Sequence, residues 1–255
     1  MAALRRLART LLTLLSAPAM LAGAWRDARA QAPAAAPVPA ARVATAAPRE
    51  LVVLAHGMGR TPLSMRPVKQ VLEAAGYEVM NFGYSSYCCT IAEIGEALRR
   101  ELGERMGPQH TRVHFIGHSL GNIVIRYVLT RDTLPPRVGR VVMLAPPNQG
   151  AHAANTFAPY AAWLLRPVSE LQADDSATVR RLPRVQGVEI GVIAARDDRT
   201  VKLPETHLAE ESGHIVVGGG HSFIMYRDDT HQQLLAFLRT GQFLSGSASP
   251  AGATP

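Results

Sequence analysis

A serine stands between two glycines where a predicted strand passes directly into a predicted helix. The five residues are Gly117, His118, Ser119, Leu120 and Gly121, a G-x-S-x-G pattern. So sharp a turn leaves no room for a side chain at the positions two before and two after the serine, and glycine, which has none, stands at both. The turn would lift the Ser119 hydroxyl above the sheet, in front of the first amides of the helix. The pattern therefore predicts Ser119 as a nucleophile, against the plainer interpretation of a tight turn with a solvent-facing serine.

A second glycine-flanked loop, His56-Gly57-Met58-Gly59, follows the first predicted strand. A loop of this kind can bring a backbone amide toward the serine hydroxyl, where the negative oxygen of a tetrahedral intermediate would form. By position, we expect the amides of Met58 and Leu120 to form such an oxyanion hole. His56 is expected to shape the loop rather than to act as a base.

The positions of these residues are set by strands and helices that alternate along the chain. Short runs rich in Val, Ile and Leu predict strands at 51–55, 77–82, 112–116, 138–145, 188–195 and 214–217. Amphipathic segments predict helices at 62–75, 91–106, 120–130 and 229–239. This alternation indicates an α/β fold with a mainly parallel sheet covered on both faces, in which ligands bind at the carboxyl ends of the strands.

With these elements, the chain resembles the α/β-hydrolase superfamily, specifically its small bacterial lipase- and esterase-like members. The resemblance covers roughly residues 51–238. It implies a minimal α/β-hydrolase fold of about six strands with a short lid insertion, because the spacer before residue 51 lacks the two further strands of larger members. The motifs that carry it are His56-Gly57-Met58-Gly59, Gly117-His118-Ser119-Leu120-Gly121 and Ala145-Pro146-Pro147-Asn148-Gln149-Gly150.

The superfamily places its acid and then its histidine after the nucleophile, each behind a later strand. His221 follows the last predicted strand and a run of three glycines, which lets the loop bend back toward Ser119. Asp197 and Asp198 both follow the fifth strand. The family's Asp-x-x-Val pattern favours Asp198 as the acid, because Val201 stands three residues after it. Asp197 is then expected to stabilise the turn. The resemblance thus implies a Ser119, His221 and Asp198 triad without a cofactor.

The long connection between the fourth and fifth strands, about 151–187, is where this fold inserts a lid. Phe157, Tyr160, Trp163 and Leu164 make part of it strongly apolar. We interpret these four side chains as a wall for an apolar acyl chain, the alternative being a helix that merely covers the sheet.

Two other groups of residues suggest alternative chemistry. Cys88 and Cys89 are adjacent, so a bridge between them would be strained, and we interpret them as small reduced packing residues, with a redox or intermolecular role as the alternative. His110, His114 and His118 are spaced by four but fall on a strand and its turn, where that spacing does not converge on a metal. We therefore predict no metal.

The chain of 255 residues carries a net charge of +7, which at first suggests a nucleic-acid or anionic-membrane partner. Residues 1–30 hold five of the arginines and one aspartate; without them 22 basic and 19 acidic residues remain, a surplus of only +3. Arg5, Arg6 and Arg9 precede an apolar stretch and Ala28-Arg29-Ala30, the pattern of a secretory signal. We therefore predict no nucleic-acid partner, and an exported protein, periplasmic or secreted.

The predicted organisation is a signal peptide at 1–30, an Ala/Pro-rich spacer at 31–48, the hydrolase domain at 49–244 and a loose tail at 245–255. The predicted function is hydrolysis of apolar carboxylic esters, by a lipase or esterase with possible interfacial lipid contact. An acyltransferase, thioesterase or amidase would use the same triad. The alternative outside the enzymes is a binding protein that keeps the hydrolase fold and has lost catalytic activity.

Overall fold

The computed structural model describes residues 49–131, 137–151, 170–171 and 178–245. Within them, six strands form one sheet in the order β2-β1-β3-β4-β5-β6, and all the neighbouring strands are parallel. The strands are β1 Arg49–Ala55, β2 Glu78–Phe82, β3 His110–His118, β4 Val138–Leu144, β5 Ile190–Ala195 and β6 Gly213–Val217.

In the described ranges, five α-helices and three short 3-10 helices lie between the strands or after the last one. The α-helices are α1 Arg66–Ala74, α2 Ile91–Arg105, α3 Leu120–Leu129, α4 Thr178–Arg181 and α5 Asp228–Thr240. The 3-10 helices are Pro62–Met65, Leu203–Thr206 and Ile224–Tyr226.

The alternation of side chains along β1 explains why the sheet is covered on both faces. Leu51, Val53 and Ala55 enter one buried cluster, with residues of α2 and α3. Val52 and Leu54 enter the other, with residues of α1 and α5. Because successive side chains of a strand point to opposite faces, an uninterrupted apolar strand requires helices on both sides.

The predicted strands and helices are all present, with shifts of a few residues at their ends. The predicted helix at 62–75 divides into a 3-10 turn, Pro62–Met65, and α1, whose first turn contains Pro67. Proline fits there because the first turn of a helix does not need its amide. Helix α2 begins at a capping box, in which the Thr90 side chain accepts from the Glu93 amide and the Glu93 carboxylate accepts from the Thr90 amide.

The predicted signal peptide and spacer lie outside the described residues, as do most of the tail and most of the predicted lid. In the part of the chain that is described, none of the helices has the length and apolar character needed to traverse a bilayer.

Candidate active site

Ser119 occupies the junction between β3 and α3 and has an unusual backbone conformation. Its φ is 51° and its ψ is −122°, a region that non-glycine residues rarely adopt. The Ser119 amide donates to the Leu144 carbonyl at 3.0 Å, and its carbonyl accepts from the Asn122 amide at 3.0 Å. The turn is thus held by β4 on one side and by the first turn of α3 on the other.

The two glycines that flank Ser119 are in places where a side chain cannot fit. A Cβ at Gly121 would lie 2.2 Å from the Ala55 carbonyl oxygen, because α3 passes directly against the end of β1. A Cβ at Gly117 would lie 2.4 Å from Oδ1 of Asn122. The sequence pattern predicts small residues at these two positions, and the structure shows the reason: neighbouring atoms pack too closely to leave room for a Cβ.

Asp198, His221 and Ser119 form a continuous chain of polar contacts. Nε2 of His221 lies 2.9 Å from Oγ of Ser119, and Nδ1 lies 2.6 Å from Oδ2 of Asp198. Oδ1 of Asp198 accepts from the amides of Thr200 and Val201, both at 2.8 Å. One carboxylate oxygen is thereby fixed by the backbone while the other faces the imidazole, with only 2% of the Asp198 side chain exposed.

Asp197, the neighbouring acid, contacts a different part of the chain. Its amide donates to the Gly219 carbonyl at 3.0 Å, and its carboxylate accepts from the Gly219 amide at 3.2 Å. It therefore ties the loop after β5 to the glycine run that precedes His221, as the sequence analysis suggested.

Met58 and Leu120, the predicted oxyanion donors, follow β1 and begin α3, respectively. The backbone hydrogen bonds of the described loops and helix ends use neither amide. The Leu120 amide belongs to the first turn of α3, where the helix itself offers no acceptor and the helix dipole favours negative charge.

The loop after β2 braces the loop that contains Met58. The Tyr84 ring stacks on His56 at 4.1 Å between centroids, and its hydroxyl donates to the His56 carbonyl. Ser86 accepts at Oγ from the Gly59 amide at 2.9 Å. Burial lowers the pKa of His56, which keeps its imidazole neutral. These contacts support the interpretation of His56 as a structural residue.

His118 is a residue that the sequence analysis considered only as a metal ligand. Its Nε2 lies 2.9 Å from the His221 carbonyl oxygen, and burial lowers the pKa of His118 to about 3. A neutral ring bonded in this way carries its proton on Nε2 and donates it to that carbonyl. Gly57 provides the space, since a Cβ there would lie 2.7 Å from Nδ1 of His118. His118 thus holds the backbone of His221 in place.

A protein-family model described as "Alpha/beta hydrolase family" matches residues 52–185, more than half of the chain. The chain belongs to this family. The match includes Ser119 and ends before Asp198 and His221, so the positions of these two in the hydrolase site rest on the contacts above. A sequence search of curated proteins found no significant match.

Solved structures with the hydrolase fold resemble the chain at low sequence identity. The lipase BlEst2 from Bacillus licheniformis has 13% identity and a TM-score of 0.56, covering 76% of this chain and 93% of its own. The Pyrococcus furiosus esterase Pf2001 has 20% identity and a TM-score of 0.56, covering 75% and 83%. Phospholipase PlaB from Legionella pneumophila, with thio-NAD, has 16% identity and a TM-score of 0.52, covering 62% of this chain but only 44% of PlaB. At these identities the likeness shows the fold.

The four predicted acyl-wall residues, Phe157, Tyr160, Trp163 and Leu164, lie outside the described residues. The described part of this hydrolase has other large apolar side chains in the connections that follow its strands. Leu63 follows β1, Tyr87 follows β2, and Phe223 and Tyr226 follow β6. All four are exposed, Phe223 to 69%, and the sequence analysis did not single them out.

Among the described residues of the hydrolase, His207, Glu211 and His214 are the one group with metal-ligand atoms close together, within 4.8 Å. Hydrogen bonds explain this proximity: Nδ1 of His207 contacts Glu211 at 2.7 Å, and Nε2 of His214 contacts the Thr206 hydroxyl at 2.8 Å. The two imidazoles stack at 4.0 Å with an angle of 18°, and nearly parallel rings cannot both point at one ion. In the sequence, the group stands between Asp198 and His221.

Proposed function

We propose that this hydrolase cleaves carboxylic esters through a Ser119, His221 and Asp198 triad and an acyl-enzyme intermediate. The observation that carries the proposal is the continuous contact from Asp198 through His221 to the Ser119 hydroxyl, at 2.6 and 2.9 Å. The positive φ of Ser119 and its place at a helix amino terminus support the same conclusion. These features together are those of an activated nucleophile.

In the proposed reaction, Nε2 of His221 removes the proton of Ser119 as Oγ attacks the ester carbonyl carbon. The carboxylate of Asp198 accepts from Nδ1–H, keeps the imidazole in the correct tautomer and stabilises the imidazolium without taking its proton. His221 then donates the proton to the leaving alcohol as the tetrahedral intermediate collapses. Water attacks the acyl-enzyme by the same route, and the carboxylic acid leaves.

The amides of Met58 and Leu120 bind the oxygen that becomes negative in both tetrahedral intermediates. A fixed donor at this position typically contributes about 3 kcal/mol to the transition state. Because both donors are backbone groups, their position depends on the loop around them. The hydrogen bond from Gly59 to Ser86 and the stack of Tyr84 on His56 restrict that loop.

The proposed substrates are esters with an apolar acyl chain. Exposed apolar residues follow β1, β2 and β6, whose carboxyl ends lie at the same edge of the parallel sheet as Ser119, and such side chains stabilise apolar ligands by excluding water. The predicted wall of Phe157, Tyr160, Trp163 and Leu164 would add to this surface. The names of the structural neighbours, a lipase and an esterase, support the same substrate class.

Hydrolysis of a nitrophenyl ester series, from short to long acyl chains, tests the proposal. We expect turnover by the full chain and a loss of about a thousandfold or more in Ser119→Ala. Ser64→Ala is the matched control, because the Ser64 hydroxyl donates to the carbonyl of Thr61, the residue that precedes its own 3-10 turn. Equal rates for wild type and Ser119→Ala, or no turnover of any ester, would refute the proposal.

A further inference from the structure

The adjacent cysteines lie in the loop that braces the proposed oxyanion hole. Cys88 is exposed, and Cys89 is half-buried and packs against the core cluster that contains α2 and α3. The interpretation of both as packing residues is therefore wrong for Cys88. Both residues follow Ser86, which holds the Gly59 amide, and precede Thr90, which caps α2.

The two sulfur atoms are in contact, and the Cys88 thiol is polarised for reaction with a disulfide. Their Sγ atoms lie 2.7 Å apart. Hydrogen bonds to the Cys88 sulfur, first from the Cys89 thiol and then from Ser85, lower the pKa of Cys88. A lowered pKa raises the fraction of thiolate, which is the nucleophile in thiol chemistry, and the exposure of Cys88 gives small reagents access.

We propose that Cys88 and Cys89 form a thiol–disulfide exchange site that takes a low-molecular-weight disulfide as its oxidant. The Cys88 thiolate attacks one sulfur of the oxidant, breaking its S–S bond, forming a mixed disulfide and releasing one thiol. Cys89, after losing its proton, attacks the Cys88 sulfur and displaces the second thiol. The cysteines are oxidised to a vicinal disulfide, and the oxidant is reduced to two thiols.

The vicinal disulfide changes the loop because its geometry differs from that of the reduced pair. Adjacent Cα atoms are about 3.8 Å apart, below the usual disulfide minimum of about 4.4 Å, so closing the bridge strains the backbone between Cys88 and Cys89. Relief of that strain displaces the loop and with it Ser86, which loosens the Gly59 amide beside Met58. A strained bridge is also easily reduced again, so the change is reversible.

This effect on turnover rests on the proposed ester hydrolysis, whereas the exchange reaction does not. Export, which the sequence predicts, would place the pair in a compartment where disulfides persist. The site then links the oxidation state of its surroundings to the shape of the oxyanion hole. Cys88 and Cys89 are redox residues in this scheme and do not contact the substrate.

The exchange reaction is tested by mass spectrometry of the full chain treated with glutathione disulfide. We expect wild type to lose two hydrogens, with the change mapped to the peptide that contains Cys88 and Cys89. Cys89→Ser should instead hold a stable glutathione adduct on Cys88, and Cys88→Ser should react more slowly because Cys89 is half-buried. No reaction of wild type, a persistent adduct on wild-type Cys88, or a bridge between two chains would overturn the site.

The effect on the oxyanion hole is tested by assaying the same samples with a nitrophenyl ester. We expect oxidation to lower kcat about three- to tenfold. Complete loss of one oxyanion donor typically lowers kcat roughly a hundredfold or more, and oxidation displaces the donor without removing it. Dithiothreitol should restore the rate, and the double variant Cys88→Ser/Cys89→Ser should be active and insensitive to the oxidant. Unchanged kcat in an oxidised sample would overturn the link. If the reduced protein hydrolyses no ester, the proposed function fails while the mass measurement still decides the exchange site.

Discussion

Acidification should destabilise the folded protein through His118, by an amount that can be worked out from its burial. The pKa of His118 is lowered from 6.5 to about 3 in the folded chain. Above about pH 6.5 both the folded and the unfolded chains hold it neutral, so it has no effect on stability. Below that pH the unfolded chain binds a proton that the folded chain cannot, and stability falls until the pH approaches 3.

The expected loss at about pH 5 is about 2 kcal/mol, from roughly 1.4 kcal/mol for each of the 1.5 pH units below the unfolded value. Urea unfolding of wild type and His118→Gln at about pH 7.5 and about pH 5 measures it. The free energy of unfolding should fall by about 2 kcal/mol more in wild type than in His118→Gln, because the other histidines contribute equally to both. Equal losses in the two proteins would refute the reasoning, since they would mean that His118 is not desolvated.

A comparison of His118→Gln with His118→Phe shows whether the His118 hydrogen bond positions His221 for catalysis or the ring only fills space. A glutamine amide can still donate to the His221 carbonyl, whereas Phe in place of His118 fills the space and cannot donate. We therefore expect His118→Phe to lower kcat more than His118→Gln does, with little change in KM, because His118 is buried, with 2% of its surface exposed. If both variants keep the wild-type kcat, the hydrogen bond at 2.9 Å does not position His221.

Three further experiments test the packing beside Ser119, the identity of the acid and the role of exposed Phe223. Gly121→Ala should lower the free energy of unfolding by at least about 2 kcal/mol, because its Cβ would meet the Ala55 carbonyl oxygen. The control is Gly103→Ala, at an exposed position in α2, which should raise the free energy of unfolding by about 0.5–1 kcal/mol. Thermal unfolding measures both. A stable Gly121→Ala protein would contradict the close packing. Asp198→Asn should lower kcat about ten-thousandfold while Asp197→Asn keeps most of it, and the reverse order would assign the acid to Asp197. Phe223→Ser should lower kcat/KM for long-chain esters more than for short ones, and an equal decrease would exclude Phe223 from acyl binding.

Much of the fold, and the proximity of Ser119, His221 and Asp198, could be predicted from the sequence because they depend largely on local patterns. The alternation of apolar strands with amphipathic helices determines the parallel sheet, and the glycines around Ser119 mark a turn that few other sequences can form. The glycine run before His221 is likewise a local pattern, whereas the choice of Asp198 over Asp197 came from the resemblance to the family. The structure brings these three side chains within hydrogen-bonding distance.

The supporting contacts could not be predicted because they join residues that are far apart in the chain. His118 and the carbonyl of His221 are separated by 103 positions, and the partners Gly59 and Ser86 by 27. Nothing in the local sequence of either partner indicates the other. The exposure of Cys88 beside half-buried Cys89 likewise depends on how the loop packs against the core.

Labelling with a fluorophosphonate tests the nucleophilic role of Ser119 most directly, because the probe reacts with an activated serine and requires no knowledge of the substrate. We predict that the folded wild-type chain is labelled, that the adduct maps to the peptide that contains Ser119, and that Ser119→Ala is not labelled. Heat-denatured wild type should also remain unlabelled, since the contacts with His221 and Asp198 are then lost. No labelling of the folded wild type, or equal labelling of Ser119→Ala, would contradict the proposed triad.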